Sequence, residues 1–175
     1  ARTPRPPRTV RALGAWIRAH PGRFTHDESF TGITFLKTIM YAEGGGVAAF
    51  ADGFDEGRWR RGRDAVFGWL DRHRDAFWRA GTAHPRDVAA MHRLFADGEI
   101  DVTMANNMDE VTAKIAQGVL PATTRAVLLD DGTIRNAHFV GIPTDAPNAA
   151  GAMVVADFLL SPEAQLEKRR ATVWG

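Results

Sequence analysis

Side chains able to hydrogen-bond but not to attack recur at a few places in this chain. Asn106 and Asn107 close one β-like run, Gly132-Thr133 and Asn136 stand before another, and Thr31, Gly32 and Thr34 open a helical stretch. Amides and hydroxyls donate and accept, and unpaired amides at a helix start receive anionic or polar groups, Gly32 allowing a close approach. No nucleophile accompanies them. The pattern is that of a binding site rather than a reaction centre. Ordinary capping gives the same signal, because Asn and Thr are favoured N-caps for local reasons. Phe30 either stacks on a ring-bearing ligand or staples the helix start.

The catalytic alternatives are poorly spaced. Ser29 and Ser161 are the serines, neither lies in a Gly-x-Ser-x-Gly elbow, and Ser161 reads as a cap. The six histidines lack the helical spacing with Glu that a zinc site uses, so no metal site is expected. Glu99 and Asp101 share one face of a β-like run and form a conceivable acid and base pair, although a solvent-facing edge gives the same pattern. The patch Arg58-Trp59-Arg60-Arg61-Gly62-Arg63 interleaves cations with an aromatic, as single-strand binders do. Asp52, Asp55, Glu56, Asp64, Asp71 and Asp75 surround it, which favours a solvated, salt-bridged helix face. Glu43-Gly-Gly-Gly46 lacks the Gly-Lys-Ser/Thr of a P-loop and reads as a helix stop.

The elements that position these residues follow from periodicity. Pro- and Arg-rich residues 1–7 predict an extended lead-in. Val10, Leu13 and Ile17 recur at helical spacing, and a second helix is expected over 32–42 with Ser29 or Thr31 as its cap. Residues 47–62 read as a loop with some helix, and 64–80 as a long amphipathic helix. His84-Pro85 announces the next helix, whose stripe is Val88, Met91, Leu94 and Phe95. Residues 99–105 alternate polar side chains with Ile100, Val102 and Met104 and predict a strand with one buried face; 24–26, 126–129 and 136–142 are further strand candidates. Asn106, Asn107 and Asp109 then cap a helix carrying Val111 and Ile115, placing the amides at a strand-to-helix corner. Ser161-Pro162-Glu163 starts the last helix. Alternating helices and strands predict α/β, with a sheet of about four to five strands and helices on both faces.

A resemblance is carried by the stretch from Leu94 through Asn106 and Asn107, by His138-Phe-Val-Gly-Ile-Pro143, and by Ala152-Met-Val-Val-Ala-Asp-Phe-Leu-Leu-Ser-Pro-Glu-Ala-Gln165. These resemble the later part of extracytoplasmic solute-binding proteins of bacterial ABC importers, closest to a subgroup related to thiamine, iron and polyamine binders. The resemblance implies one lobe of a type II periplasmic-binding-protein fold with a mixed sheet, working without catalysis and without a cofactor. It implies a small-molecule solute and ABC permease membrane subunits as partners, no nucleic acid, and a periplasmic location. Such proteins close two lobes on the ligand by a hinge. This sequence looks like the second lobe, with residues 1–129 as an α/β domain and 130–175 as the hinge return and C-terminal helices, the first lobe being absent. Thr31, Gly32 and Thr34 are then expected on the same rim as Asn106 and Asn107, and Gly132, Thr133 and Asn136 complete the expected ligand-binding set. The alternatives are a small enzyme using Glu99 and Asp101, and a nucleic-acid module built on the arginine patch.

Composition agrees with a globular chain. The 175 residues are 45% hydrophobic and 25% charged, enough for a sizeable core. A net charge of +1 gives no overall pull toward polyanions. The absence of cysteine excludes disulfides and thiolate chemistry and leaves the redox compartment open.

Overall fold

A computed structural model describes residues 3–134 and 137–170. Among the described residues seven α-helices follow one another: α1 (Val10–Ala19), α2 (Phe30–Glu43), α3 (Glu56–His73), α4 (Val88–Ala96), α5 (Met108–Ala116), α6 (Ala149–Leu160) and α7 (Pro162–Lys168). Short 3-10 turns occupy Val47–Phe50, Arg74–Ala76 and Trp78–Gly81. Among the described residues there is no strand and no sheet, so the expected mixed α/β sheet is corrected to a helical arrangement.

The reason lies in pairing. A strand persists only where its amides and carbonyls meet a neighbour in a repeating ladder. Here Asp101 N donates to Arg23 O, Glu28 N to Pro85 O and Asp130 N to Arg8 O, and two bonds, Gly22 N to Ala76 O and Trp78 N to Phe24 O, join residues 22–24 to 76–78, none of them extending into a ladder. Residues 99–105 thus run non-helical beside the core without a ladder. Residues 137–142 are also non-helical, and Phe139 is 91% exposed. Arg135 and Asn136 lie outside the described residues, so the site residue expected at Asn136 does too.

Helix starts are capped by side chains except that of α2, which begins at Phe30 with Ser29 in the cap position but making no side-chain cap bond. Thr9 accepts from Ala12 N, Asp55 from Arg58 N, Asp87 from Ala90 N, Asn107 from Glu110 N, and Ser161 from Ala164 N. α4 therefore begins beyond Asp87 rather than at Pro85, and α3 begins at Glu56 and ends at His73, eight residues earlier at its start than the spacing of apolar residues suggests.

The core gathers Val10, Leu13 and Ile17 of α1, Phe24 of the segment that follows it, Phe35 and Ile39 of α2, Trp69 of α3, and Phe77. Phe24 sits edge-on to Phe77 at 5.3 Å, and Phe35 edge-on to Trp69 at 5.9 Å. Glycines let the helices close up. A Cβ on Gly62 of α3 would come within 2.8 Å of the Met40 side chain of α2, and one on Gly14 of α1 within 2.5 Å of the His73 ring. Val102, Met104 and Leu129 pack half-buried against this core. Asp101 does not point to solvent as alternation implies; it pairs with Arg23 at 2.6 Å, its side chain 8% exposed.

α6 is the exception to inside-out partitioning. It is apolar except for Asp157, yet none of its residues is buried, and Met153, Val154, Val155, Phe158 and Leu160 stand largely in solvent. α6 packs on α7.

Candidate functional site

α2 is the element that organises the site. Thr31, Thr34, Thr38 and Tyr41 follow the i, i+3, i+7, i+10 spacing that stacks side chains in one stripe beside the buried Phe35 and Ile39. At the stripe's first end the hydroxyl of Thr31 donates to Asn106 Oδ1 at 3.2 Å. Thr31 is 7% exposed, whereas Asn106 and Asn107 are exposed. Asn106 is held from behind: its amide donates to Glu110 Oε2 at 2.7 Å, and Glu110 N donates to Asn107 Oδ1 at 2.7 Å. That reciprocal pair resembles a capping box shifted by one residue, and it spends the Asn107 carbonyl on capping α5.

The amides at the start of α2 are engaged as well. Asp27, 1% exposed, accepts through Oδ1 from Ser29 N at 2.7 Å and from Gly32 N at 3.2 Å. A Cβ on Gly32 would lie 1.8 Å from the Asp27 carbonyl oxygen, so the close approach Gly32 permits is that of the chain's own backbone. Asp27 takes the position at which an anionic ligand would be received.

At the other end of the stripe, Thr38 and Tyr41 line a cavity of about 240 Å³ together with Val47, Asp131, Gly132 and Thr133. Gly132 has φ +105°, a turn conformation that only glycine adopts without strain. The turn is tied to α1: Asp131 accepts from Val10 N, and Asp130 pairs with Arg8 at 2.9 Å. Two of the sequence-derived groups thus sit along one helix, Thr31, Thr34 and Asn106 at its start and Gly132 with Thr133 near its end. Thr38, Tyr41 and Asp131 were not singled out from the sequence; continuing the helical spacing from Thr31 and Thr34 points to Thr38 and Tyr41. Phe30 is 59% exposed and therefore not a staple.

Neither competing site is assembled. Glu99 Oε2 accepts from Trp78 Nε1 at 2.9 Å, and Asp101 is bound by Arg23, so the two carboxylates serve different structural contacts. In the arginine patch, Arg60 pairs with Glu56 at 2.6 Å, Arg63 with Asp64 at 2.7 Å, and Arg58 reaches Asp52 and Asp55. Among the described residues no cluster of His, Asp and Glu is arranged to hold a metal ion, and no helix is long and apolar enough to cross a membrane.

The family model for bacterial extracellular solute-binding proteins matches residues 1–174 of the chain. The protein YnjB of Escherichia coli strain K12 is 37% identical over 175 residues, which cover 99% of this chain and 45% of that relative. The chain thus spans less than half the length of the curated relative it matches. No solved structure gives a significant match.

Proposed function

The chain belongs to the bacterial extracellular solute-binding protein family, and from that premise we propose that it is part of a receptor delivering a small solute to the membrane subunits of an ABC importer in the periplasm. The solute meets the hydroxyl stripe of α2, with Thr31, Thr34 and Asn106 at one end and Gly132 and Thr133 at the other. The observation carrying this reading is the Thr31 to Asn106 hydrogen bond, which joins two polar groups far apart in sequence at one end of α2, the helix whose other end lines the cavity. Asn107 and Gly32 support the site by capping and by close packing, and Asn136 belongs to the same proposal through the turn it follows.

In this reading residues 1–129 and 130–175 are one lobe and its C-terminal return, and the remainder of a longer protein supplies the opposing lobe. The exposed apolar face of α6 and the unpaired run 137–142 support this organisation, because both are surfaces that water disfavours. Closure of the opposing lobe over the α2 stripe encloses the solute, as small-ligand affinity requires.

Solute binding tests the proposal. A panel of small polar and cationic solutes screened by thermal shift against a full-length protein of this family carrying the chain is expected to give at least one that raises the melting temperature. Replacing Asn106 with Ala abolishes or weakens that shift. A solute that stabilises the Asn106→Ala protein as well as the parent places the site elsewhere.

A further inference from the structure

We infer that the stacked imidazoles of His26 and His84 form an acid-sensitive latch beneath the start of α2, one that loosens Asp27, and with it the Thr31 to Asn106 contact, when His26 takes up a proton. The inference deepens the solute-binding reading, since the contact it governs is the one proposed to meet the solute.

The rings lie 4.3 Å apart and 19° from parallel. His26 Nδ1 is 2.9 Å from the carbonyl oxygen of Asp27 and so donates to it, while His84 Nδ1 is 3.1 Å from the Thr25 hydroxyl. Aromatic rings enclose the pair: Phe35 of α2 and Phe77 face His26, and Phe77 also meets His84 edge-on. The titratable groups around them are few. Asp27 and Glu28, from the same segment as His26, favour its charged form, and His84 opposes it. Arg86 and Asp87, just beyond Pro85, are paired with each other at 3.0 Å. Burial is the largest influence and holds His26 below the ordinary histidine range, so the ring stays neutral near neutral pH. A second charge in a stacked pair is opposed by the first, and the rings relieve it by separating.

Asp27 transmits that separation. Its carbonyl accepts from His26 and abuts Gly32, while its carboxylate accepts from Ser29 N, from the Ser29 hydroxyl at 2.5 Å and from Gly32 N. The peptide that the imidazole grips is therefore the one that fixes the first turn of α2, and Thr31 lies in that turn. Histidine is the side chain whose charge changes in the range that an extracytoplasmic protein meets when its surroundings acidify.

The test is a nuclear magnetic resonance titration of the chain from pH 8 to pH 5, following the imidazole carbons of His26 and His84 together with the amides of Ser29, Gly32 and Asn106. The expected result is a His26 midpoint below the ordinary value of 6.5, with the three amides shifting at that same midpoint. His26→Phe keeps a flat ring in the stack but takes up no proton, and it is expected to abolish the amide response; His84→Phe is expected to raise the His26 midpoint. Amides that stay still while the imidazoles titrate overturn the inference, as does an unchanged amide response in His26→Phe. Should both variants fail to fold, the parent titration decides alone. No solute is used, so a failure to find any binding solute would count against the receptor reading and leave this result standing or falling by itself.

Discussion

The hydroxyl of Thr31 and the side-chain carbonyl of Asn106 meet at 3.2 Å, although 75 residues separate them in the chain. One side chain sits in the first turn of α2 and the other just before α5. Because Asn106 is exposed, this contact contributes little to folding. In the full-length protein, Asn106→Ala is expected to weaken solute binding by about 1–3 kcal/mol, the cost of leaving a group enclosed by ligand unpaired. Its melting temperature should stay with the parent. Calorimetric titration together with thermal unfolding separates the two effects.

Gly32→Ala is expected to destabilise the chain by about 3 kcal/mol or more, because the added carbon meets backbone that has no room to yield. Gly141→Ala serves as the control, as a Cβ there meets nothing within 4 Å. Urea unfolding of both variants checks the difference; equal midpoints would mean that Asp27 does not hold α2 as described.

Val102→Asp places a charge against the core from a half-buried position, and a loss of about 2 kcal/mol is expected by chemical denaturation. A midpoint equal to that of the parent would show that Val102 is not turned toward the core.

Stability should fall with acid through His26. Its folded-state pKa is lowered, mainly by burial, so the unfolded chain binds the proton more tightly and unfolding gains as pH drops below the ordinary value of 6.5. The contribution is fully present above that value and is lost through the window beneath it. Unfolding free energies at pH 7.5 and pH 5.5 should differ less in His26→Phe than in the parent.

The apolar face of α6 yields a test of domain organisation. In a full-length protein whose other lobe covers it, Phe158→Asp is expected to cost about 2 kcal/mol or more. In the 175-residue chain, where Phe158 is 61% exposed, the same change should leave stability nearly unaltered.

Helices were legible where local rules decide them. The spacing of Val10, Leu13 and Ile17 and the caps at Asn107 and Ser161 are one-dimensional signals, and each corresponds to a helix. Ile100, Val102 and Met104 do pack toward the core, but Asp101 and the Thr103 hydroxyl turn inward too, so alternation marks no outward face here, and it cannot supply the neighbouring strand on which a sheet depends. Charge pairing misled in the same way, since Asp101 is placed outward by alternation and inward by Arg23, a partner 78 residues away. Of the site, Thr31 and Asn106 could be named but their contact could not, because it depends on how α2 and the turn before α5 cross. Thr38 and Tyr41 were within reach of the helical spacing, whereas Asp131 enters only through the tie of its turn to α1.

The central claim is that the α2 stripe meets a small solute, and the most direct measurement is the position of that solute in a crystal structure of a full-length protein carrying this chain. The account predicts ligand atoms within hydrogen-bonding distance of Asn106 and of at least one of Thr34, Tyr41 and Thr133, enclosed between the stripe and the opposing lobe. A solute bound with α2 facing away from it would contradict the account.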